Sequence, residues 1–401
     1  MIVSLFGYGK TTKALAKEFK NIIFYDDKCL KPFKDEDGYA IKPSSEFNPN
    51  YSDLEITSPG ISPTNELIKK AKNLISEYDY FSDTKPLKIW ISGTNGKTTT
   101  TQMMQHILKD MGSQAGGNIG TPLAELNQGA KMWILETSSF TMHYTNKALP
   151  NIYILLPLSP DHLSWHGDMQ KYIESKLKPI YNMQEGEVAI IPEAYKDIKT
   201  KAYLITYKDE IELANYFDIE IQQIKFKGAF LMDALLAMAV DKILFDKIDY
   251  KKINSFELDP HRQEELKDVK GRLWVNDTKA TNLDATIVAV KRYQNSSIHL
   301  ILGGDDKGVD LNELFIFLKN KNIKIYTIGS NKNKLCDLSQ KYNIDYKKCI
   351  NLEDAVNKIN INLDKNSVAL LSPAAASLDE FNSYAQRGEQ FKDTILKLSS
   401  F

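Results

Sequence analysis

The sequence contains little cysteine, no long apolar run and no excess of basic residues. Three cysteines in 401 residues, none of them in a tightly spaced pair, are typical of a chain in a reducing compartment, so we expect a cytoplasmic protein. No apolar run approaches the roughly 20 residues that a membrane helix needs, and we expect no secretory signal at the N-terminus. These absences argue against a membrane partner.

The balance of charge argues against a second class of function. The chain has 51 basic and 52 acidic residues, which gives a formal net charge of −1, whereas a nucleic-acid binder usually carries a basic excess. We therefore expect no nucleic-acid partner. Only four of the basic residues are arginines, namely Arg262, Arg272, Arg292 and Arg387. In a lysine-rich chain an arginine is favoured where its planar fork is needed.

Apolar runs of strand length alternate with helical runs along the whole chain. A length of 401 residues at about 150 residues per domain predicts two or three domains. Buried strands are expected at 2–6, 21–25, 87–91, 132–135, 151–156, 188–191, 273–275, 299–302, 324–328 and 368–371. A further strand is expected over 55–63, where the turn Ser58-Pro59-Gly60-Ile61 closes it. The alternation predicts three α/β domains with mostly parallel sheets: a Rossmann-like domain at 1–84, a central P-loop ATPase domain at 85–258 and a second Rossmann-like domain at 259–401.

The first strand leads into a glycine-rich turn. Gly7-Tyr8-Gly9 precedes a helical run, and the second strand ends at Asp26-Asp27. This order is typical of a nucleotide-binding βαβ unit. Thr12 replaces the third glycine of the dinucleotide fingerprint, so an ordinary turn of a parallel sheet remains an alternative.

A candidate phosphate loop, Gly93-Thr94-Asn95-Gly96-Lys97-Thr98, lies between a predicted strand and a predicted helix. Glycines let backbone N–H groups turn toward phosphate oxygens, the helix N-terminus adds positive potential, Lys97 neutralises charge and Thr98 can ligate Mg²⁺. Ile91 stands where the general pattern has its first glycine, so a polar turn that merely contains Gly-Lys-Thr is the alternative. The loop predicts binding of ATP or GTP.

The shortened loop also resembles that of the Mur ligase family, which includes the folylpolyglutamate synthases. Further motifs follow in the family's order: Asn118-Ile119-Gly120, 136–140, Asp161-His162, 172–176, His261-Arg262, 276–282, 303–307, 371–381 and Gln386-Arg387-Gly388. The last two resemble the D-glutamate-adding branch. The resemblance implies an amide ligase that uses ATP, D-glutamate and UDP-N-acetylmuramoyl-L-alanine, forms an acyl phosphate and acts as a monomer in peptidoglycan precursor synthesis.

The resemblance also implies the residues that handle ATP. It assigns ATP contacts to Gly93, Thr94, Asn95, Gly96, Lys97, Thr98, Thr99, Asp233, Arg262, Asp277 and Lys279. Asp233 stands about where the family has an asparagine of its adenine region. Two Mg²⁺ ions are implied, with Thr98, Glu136, His162 and a carbamylated Lys176 as ligands. The implied catalytic residues are Lys97, Glu136, His162 and Lys176.

Two further sets of residues follow from the same resemblance. The UDP-substrate is expected to contact Gly7, Tyr8, Gly9, Asp26, Asp27, Lys28, Ser58, Gly60, Asn118 and His162. D-Glutamate is expected to contact Thr281, Lys307, Ser377, Leu378 and Tyr384. Ser377 is predicted to stand where a strand-to-helix turn opens, so backbone N–H groups there could bind an anion.

Three other functions remain open. A ligase of the same family for another amino acid would release phosphate in response to that amino acid. A P-loop kinase would give a phosphorylated product without an amide, and would leave the segment from Ser372 to Ser377 without a role. A nucleotide-gated regulatory protein would bind ATP without turnover.

Overall fold

The computed structural model describes residues 1–118 and 120–398. Within these ranges, 18 strands form three six-stranded sheets. The chain divides into two compact units, Met1–Phe256 with the first two sheets and Glu257–Phe401 with the third. The predicted α/β class with three mostly parallel sheets is confirmed. The three domain boundaries remain a prediction.

The first sheet has the strand order β3-β4-β2-β1-β5-β6, and β3 is the antiparallel member. Its elements are β1 (Val3–Phe6), α1 (Lys10–Ala16), β2 (Ile22–Asp26), β3 (Phe33–Lys34), β4 (Ala40–Pro43), β5 (Leu54–Thr57), α2 (Glu66–Lys70), β6 (Leu74–Ile75) and α3 (Glu77–Tyr80). Strand β1 is wholly buried and lies between β2 and β5. The strand order therefore reverses at β1, since the chain continues to β2 on one side of it and later returns to β5 on the other. In α/β proteins ligands bind at such a point of reversal, beyond the carboxyl ends of the strands.

The second sheet is entirely parallel, in the order β12-β11-β10-β7-β9-β8. Its elements are β7 (Leu87–Ser92), α4 (Lys97–Leu108), β8 (Ser113–Gly117), β9 (Met132–Glu136), α5 (Ser139–Tyr144), β10 (Ile152–Leu155), α6 (Leu163–His166), α7 (Met169–Asn182), β11 (Val188–Pro192), β12 (Tyr203–Tyr207), α8 (Glu210–Tyr216), α9 (Ala229–Phe245) and α10 (Tyr250–Asn254). Strand β7 lies between β9 and β10, so the phosphate loop leaves the sheet at its switch point.

The third sheet has the order β13-β14-β18-β15-β16-β17, with β13 antiparallel to β14. Its elements are β13 (Glu264–Lys267), β14 (Leu273–Asn276), α11 (Leu283–Arg292), β15 (Ser297–Gly303), α12 (Asn312–Leu318), β16 (Ile323–Ile328), α13 (Lys332–Lys341), β17 (Asp345–Lys348), α14 (Leu352–Asn362), β18 (Ser367–Leu371) and α15 (Tyr384–Lys397). The neighbours β14, β18 and β15 are parallel, so the loops after them leave the sheet at one edge.

All eleven predicted strands are present: ten are buried apolar runs, and the strand expected over 55–63 is β5. The strands that sequence reasoning missed are short or lie at or near the sheet edges: β3, β4, β6, β8, β12, β13 and β17. Helix α4 begins at Lys97 rather than at Thr100, because Gly96 supplies a left-handed cap. No helix in the ranges that the structure describes is long and apolar enough to cross a membrane.

The prediction that a strand-to-helix turn opens at Ser377 is wrong. Phe381 N donates to Ser377 O at 2.8 Å, which closes one turn, but α15 begins only at Tyr384. Its cap is Ser383, whose side chain accepts from Gln386 N. A serine whose side chain accepts from the N–H group three residues later is a favourable N-cap. The helix therefore starts after Ser383, and the segment between Ser377 and Ser383 remains a loop.

Candidate active site

The phosphate loop packs so closely that two of its positions require glycine. Gly93 has φ +148° and Gly96 has φ +86°. A Cβ atom at Gly93 would collide with Leu156 Cβ, and one at Gly96 would lie 2.5 Å from Asp233 Oδ1. The loop is therefore held against β10 on one side and against α9 on the other.

Lys97 and Thr94 tie the loop to its surroundings. Lys97 Nζ donates to Gly93 O at 2.9 Å and to Thr94 O at 2.7 Å. The Thr94 hydroxyl donates to Ser159 O at 3.1 Å and lies 2.8 Å from the hydroxyl of Tyr172 on α7. The N–H groups at the start of α4 and the Lys97 ammonium thus form a positive end at the edge of the sheet.

Lys176 reaches the same loop from α7. Its side chain is 1% exposed, and Nζ donates to Gly93 O at 2.9 Å and to Ser92 Oγ at 3.3 Å. Burial, and next the charge of Lys97, lower the pKa of Lys176 well below its usual value, while Asp161 and Glu136 act in the opposite direction. The amine is therefore more easily neutral than that of an exposed lysine.

Lys178, two residues further along α7, belongs to a different environment. Its Nζ donates to His143 O at 2.9 Å and to Asn146 Oδ1 at 2.7 Å. The helical turn therefore separates the two lysines, and Lys176 is the one that faces the phosphate loop.

Glu136 ends β9, the strand beside β7. Its side chain is buried, and Oε1 accepts from Asn118 Nδ2 at 2.7 Å. Its Oε2 is also buried and accepts no hydrogen bond from the residues described by the structure. A buried carboxylate oxygen without a donor is unstable, and a bound cation would satisfy it. Glu136 therefore fits the role of a metal ligand.

His162 lies on the exposed loop before α6, with φ +53°. Its Nε2 is 3.4 Å from Asp161 Oδ2, and its ring centroid is 4.6 Å from that of Phe140. Residues 1–118 and 120–398 contain no group of three His, Cys, Asp or Glu side chains placed to hold a metal ion. A metal site here would thus need ligands of other types, such as Thr98 Oγ1 or a modified lysine.

His166 is a residue that sequence reasoning missed. It is buried, and Nε2 lies 2.9 Å from Ser139 Oγ. Burial, and then the positive charges of His143, His162 and Lys176, lower the pKa of His166 to about 4. The imidazole is therefore neutral near pH 7. Its position one helical turn after His162 is the signal that could have identified it.

A cavity of about 400 Å³ lies at the carboxyl ends of β1, β2 and β5. Seven of the residues predicted to contact the UDP-substrate line it: Gly7, Tyr8, Gly9, Asp26, Lys28, Ser58 and Gly60. Tyr8 N donates to Asp26 Oδ2 at 2.7 Å. Asp27 is outside this lining, and its Oδ2 accepts from Asn65 Nδ2 at 2.7 Å. Asn118 lines a neighbouring cavity of about 240 Å³, together with Lys10 and Glu77.

Asp233, on α9, packs against the phosphate loop at Gly96. It is 2% exposed, and Oδ1 accepts from Thr100 Oγ1 at 2.9 Å. The same oxygen occupies the space that a side chain at Gly96 would need. The predicted contact between Asp233 and adenine remains a prediction.

In the second unit, Asp277 directly follows β14 and is buried. Its Oδ2 accepts from Ser372 Oγ at 2.8 Å, and Oδ1 accepts from Gln263 N at 3.2 Å. Burial raises the pKa of Asp277 to about 7, although both hydrogen bonds and the charge of Arg262 act to lower it. The Nε atom of Arg262 is buried and makes no hydrogen bond within the described ranges, so Arg262 retains a donor for a ligand.

Four of the five residues predicted to contact D-glutamate lie on the loops that follow β14, β15 and β18, and the fifth, Tyr384, begins α15. An isolated antiparallel bridge between Asp305 and Ala376 joins two of these loops. Ser377 is buried, whereas Leu378, Lys307 and Thr281 are exposed. On the first loop, the Lys279 ammonium lies 5.4 Å from the centroid of the Tyr384 ring. The fold thus brings these predicted residues to one edge of the third sheet.

Comparison with known proteins identifies a family. The family model described as the Mur ligase middle domain matches residues 91–232. The chain is 54% identical to the UDP-N-acetylmuramoylalanine--D-glutamate ligase of Campylobacter jejuni subsp. jejuni (strain 81-176), over 99% of this chain and 100% of that relative. The protein of the same name from Helicobacter pylori (strain ATCC 700392 / 26695) is 47% identical, with the same coverage. The chain belongs to the family of UDP-N-acetylmuramoylalanine--D-glutamate ligases.

Solved structures similar to this ligase are also Mur ligases. The MurF ligase from Thermotoga maritima, in complex with ADP, has a TM-score of 0.62 at 15% identity and covers 99% of this chain and 98% of its own. The UDP-N-acetylmuramate-alanine ligase MurC from the same organism has a TM-score of 0.56 at 16% identity, with both chains fully covered. At these identities the likeness shows the fold. The resemblance to Mur ligases that the motifs indicated is confirmed.

Proposed function

We propose that this chain joins D-glutamate to UDP-N-acetylmuramoyl-L-alanine at the expense of ATP, in cytoplasmic peptidoglycan precursor synthesis. The observation that carries the proposal is the 54% identity, over 99% of the chain, to a relative whose name states both the nucleotide substrate and the amino acid. The approach of Lys97 and Lys176 to one phosphate loop supports the ATP-dependent part.

The reaction has two steps, each with a charge problem. The carboxylate of the UDP-substrate attacks the γ-phosphorus of ATP, and an acyl phosphate and ADP result. The D-glutamate amine then attacks the acyl carbon, and the tetrahedral intermediate expels phosphate as the amide forms. Two anions must meet in the first step, so the site needs concentrated positive charge. We assign that role at the phosphates to the Lys97 ammonium and the N–H groups at the start of α4.

The proposal includes two Mg²⁺ ions and a modified lysine. Thr98 and Glu136 would hold one ion, and His162 with a carbamylated Lys176 would hold the other. Bound Mg²⁺ would supply positive charge at the phosphoryl oxygens. The unpartnered Glu136 Oε2 supports the first assignment. The lowered pKa of Lys176 supports the second, because only a neutral amine adds CO₂, forming an N–C bond and releasing a proton.

The remaining sites are proposed by position. The uridine nucleotide would occupy the 400 Å³ cavity of the first sheet. Arg262, Asp277 and Lys279 would contact ATP, and the loops of the third sheet would hold D-glutamate through Thr281, Lys307, Ser377, Leu378 and Tyr384. We further propose that the enzyme is a monomer. The free thiols of Cys29, Cys336 and Cys349 agree with a cytoplasmic location.

The decisive experiment measures ADP and the nucleotide product together. Purified enzyme with Mg²⁺, ATP and UDP-N-acetylmuramoyl-L-alanine should release ADP in quantity only when D-glutamate is added, and the product should gain the mass of one glutamate residue. Release that depends on another amino acid would indicate another ligase, and a phosphorylated product without an amide would indicate a kinase. No ADP and no amide with every reactant present would contradict the proposal.

A further inference from the structure

Arg387 is a fully buried arginine at the centre of the third sheet's loop edge. It lies in the first turn of α15 and is 0% exposed. Its Nε donates to Thr278 Oγ1 at 2.8 Å, and Nη2 donates to Thr278 O at 3.0 Å and to Ala375 O at 3.1 Å. Its Nη1 donates to Gly303 O at 3.3 Å and to Ala376 O at 3.5 Å. The five N–H groups of one guanidinium thus hold three separate loops.

None of these five acceptors is a carboxylate. Burial lowers the pKa of Arg387 to about 10, while Asp379 and Glu380 act to raise it, so the group is charged at neutral pH. A buried charge is tolerated when hydrogen bonds satisfy it, and here four of the five acceptors are backbone carbonyls. The loop conformations therefore depend on the hydrogen bonds that this side chain donates. In turn, the buried charge of the guanidinium is stabilised by the carbonyl groups of the loops.

The three loops carry the residues for which D-glutamate contacts are proposed. Thr278 is three residues before Thr281, Gly303 is four residues before Lys307, and Ala376 directly precedes Ser377. A trans peptide holds its C=O and N–H on opposite sides. The carbonyl of Ala376 faces Arg387, so the N–H of Ser377 is turned away from the guanidinium and is available on the opposite side of the loop.

We propose that Arg387 is a positioning residue for the amino-acid substrate: it holds the three loops in register so that Thr281, Lys307 and the Ser377 N–H meet the two carboxylates of D-glutamate. The inference rests on the proposed function and adds to it a residue that touches no substrate. The fork is essential, because it spreads five N–H donors over five acceptors, whereas a lysine ammonium has three donors on one nitrogen atom.

The test compares Michaelis constants and chemical rescue. In Arg387→Ala we expect KM for D-glutamate to rise and kcat to fall by about 100-fold, since small misplacements of positioning groups have effects of that size. KM for the UDP-substrate should stay within about 2-fold, because its proposed site lies in the other unit. Millimolar guanidinium ion should restore part of the activity of Arg387→Ala, and Arg387→Lys should remain defective.

Arg272 offers a matched control in the same unit. It is also buried, and its guanidinium donates to Asp268 Oδ2 and to Asn360 O and Oδ1, at none of the three loops. Arg272→Ala should lower the midpoint of thermal unfolding but leave KM for D-glutamate unchanged. An equal rise of this KM in Arg272→Ala, or an unchanged KM in Arg387→Ala, would overturn the inference.

A milder variant covers the case in which Arg387→Ala does not fold. Thr278→Val preserves the shape of the side chain but removes its hydroxyl, which accepts from Arg387 Nε at 2.8 Å and donates to Tyr384 O, in the same turn of α15, at 3.1 Å. We expect a smaller rise of KM for D-glutamate in this variant, and an unchanged value would contradict the inference. If the unaltered enzyme makes no amide with D-glutamate, the proposed function fails, whatever the variants show.

Discussion

Lys97 and Lys176 donate to the same acceptor, the carbonyl oxygen of Gly93, each at 2.9 Å. Lys97 is the first residue of α4, the helix that follows the phosphate loop. Lys176 reaches the loop from α7 and is almost wholly buried. Two ammonium groups around one carbonyl repel each other strongly in a buried environment. Burial and the charge of Lys97 both lower the pKa of Lys176, so the arrangement favours a neutral Lys176.

Replacing Lys176 should abolish activity. In Lys176→Ala the proposed carbamate cannot form, and we expect ADP release to fall to background. Small carboxylates such as acetate or formate should restore part of the ADP release, because they can occupy the space left by the carbamate. Lys178→Ala is the control on the same helix, with its bonds to His143 and Asn146, and should stay active. Full activity in Lys176→Ala would refute the carbamate.

Alanine at Gly96 should harm nucleotide binding far more than alanine at Gly186. The two glycines have φ values of +86° and +88°, so both variants carry the left-handed backbone penalty of about 1–2 kcal/mol. A Cβ at Gly186 meets nothing within 4 Å, whereas one at Gly96 lies 2.5 Å from Asp233 Oδ1. Calorimetric titration with ADP should show weaker binding for Gly96→Ala only. Equal affinities in the two variants would contradict the packing argument.

Glu77 should make the first unit less stable as the pH rises from about 4.5 to about 7. Burial raises the pKa of Glu77 from 4.5 to about 7. A carboxyl whose pKa is raised by folding holds its proton more tightly in the folded state. Below its unfolded pKa the group is protonated in both states, so it does not change the free energy of unfolding with pH. As the pH rises from the unfolded to the folded pKa, the free energy of unfolding falls. The loss is at most about 3 kcal/mol above pH 7.

Urea unfolding of Glu77→Gln, followed by tryptophan fluorescence, tests this expectation. The variant should gain stability relative to the unaltered protein between pH 5 and pH 8, since glutamine does not ionise. Glu185→Gln, at an exposed glutamate of the same unit, should show no such gain. A stability difference independent of pH would contradict the prediction.

Nucleotide affinity should depend on the ionisation of Asp277. Burial raises the pKa of this carboxyl to about 7. If the ionised form accepts a hydrogen bond from ribose, ADP binding should strengthen as the pH rises through 7. Asp277→Asn should weaken binding by about 10- to 100-fold above pH 7, the range for a bond to a charged group, and should remove the pH dependence. Asp337→Asn, at an exposed aspartate, should leave both the ADP affinity and its pH dependence unchanged.

Much of the architecture could be predicted because its signals are local. A buried parallel strand is a short apolar run, which is how β1, β7, β9, β10 and β15 were found. Edge strands such as β17, with the sequence Asp-Tyr-Lys-Lys, have no such run and were missed. Ser377 was misplaced because one closed turn and a helix start look alike in sequence, and the serine that caps α15 lies six residues later.

The sequence by itself determined the α/β class, the phosphate loop and the family, since strand runs, glycine spacing and motif order are all properties of neighbouring residues. Only the tertiary structure decided that Lys176 and not Lys178 faces Gly93, that Glu136 keeps one buried oxygen without a donor, and that Arg387 holds three loops. These facts depend on which helix face is buried and on which strands become neighbours, and such contacts join residues that are far apart along the chain.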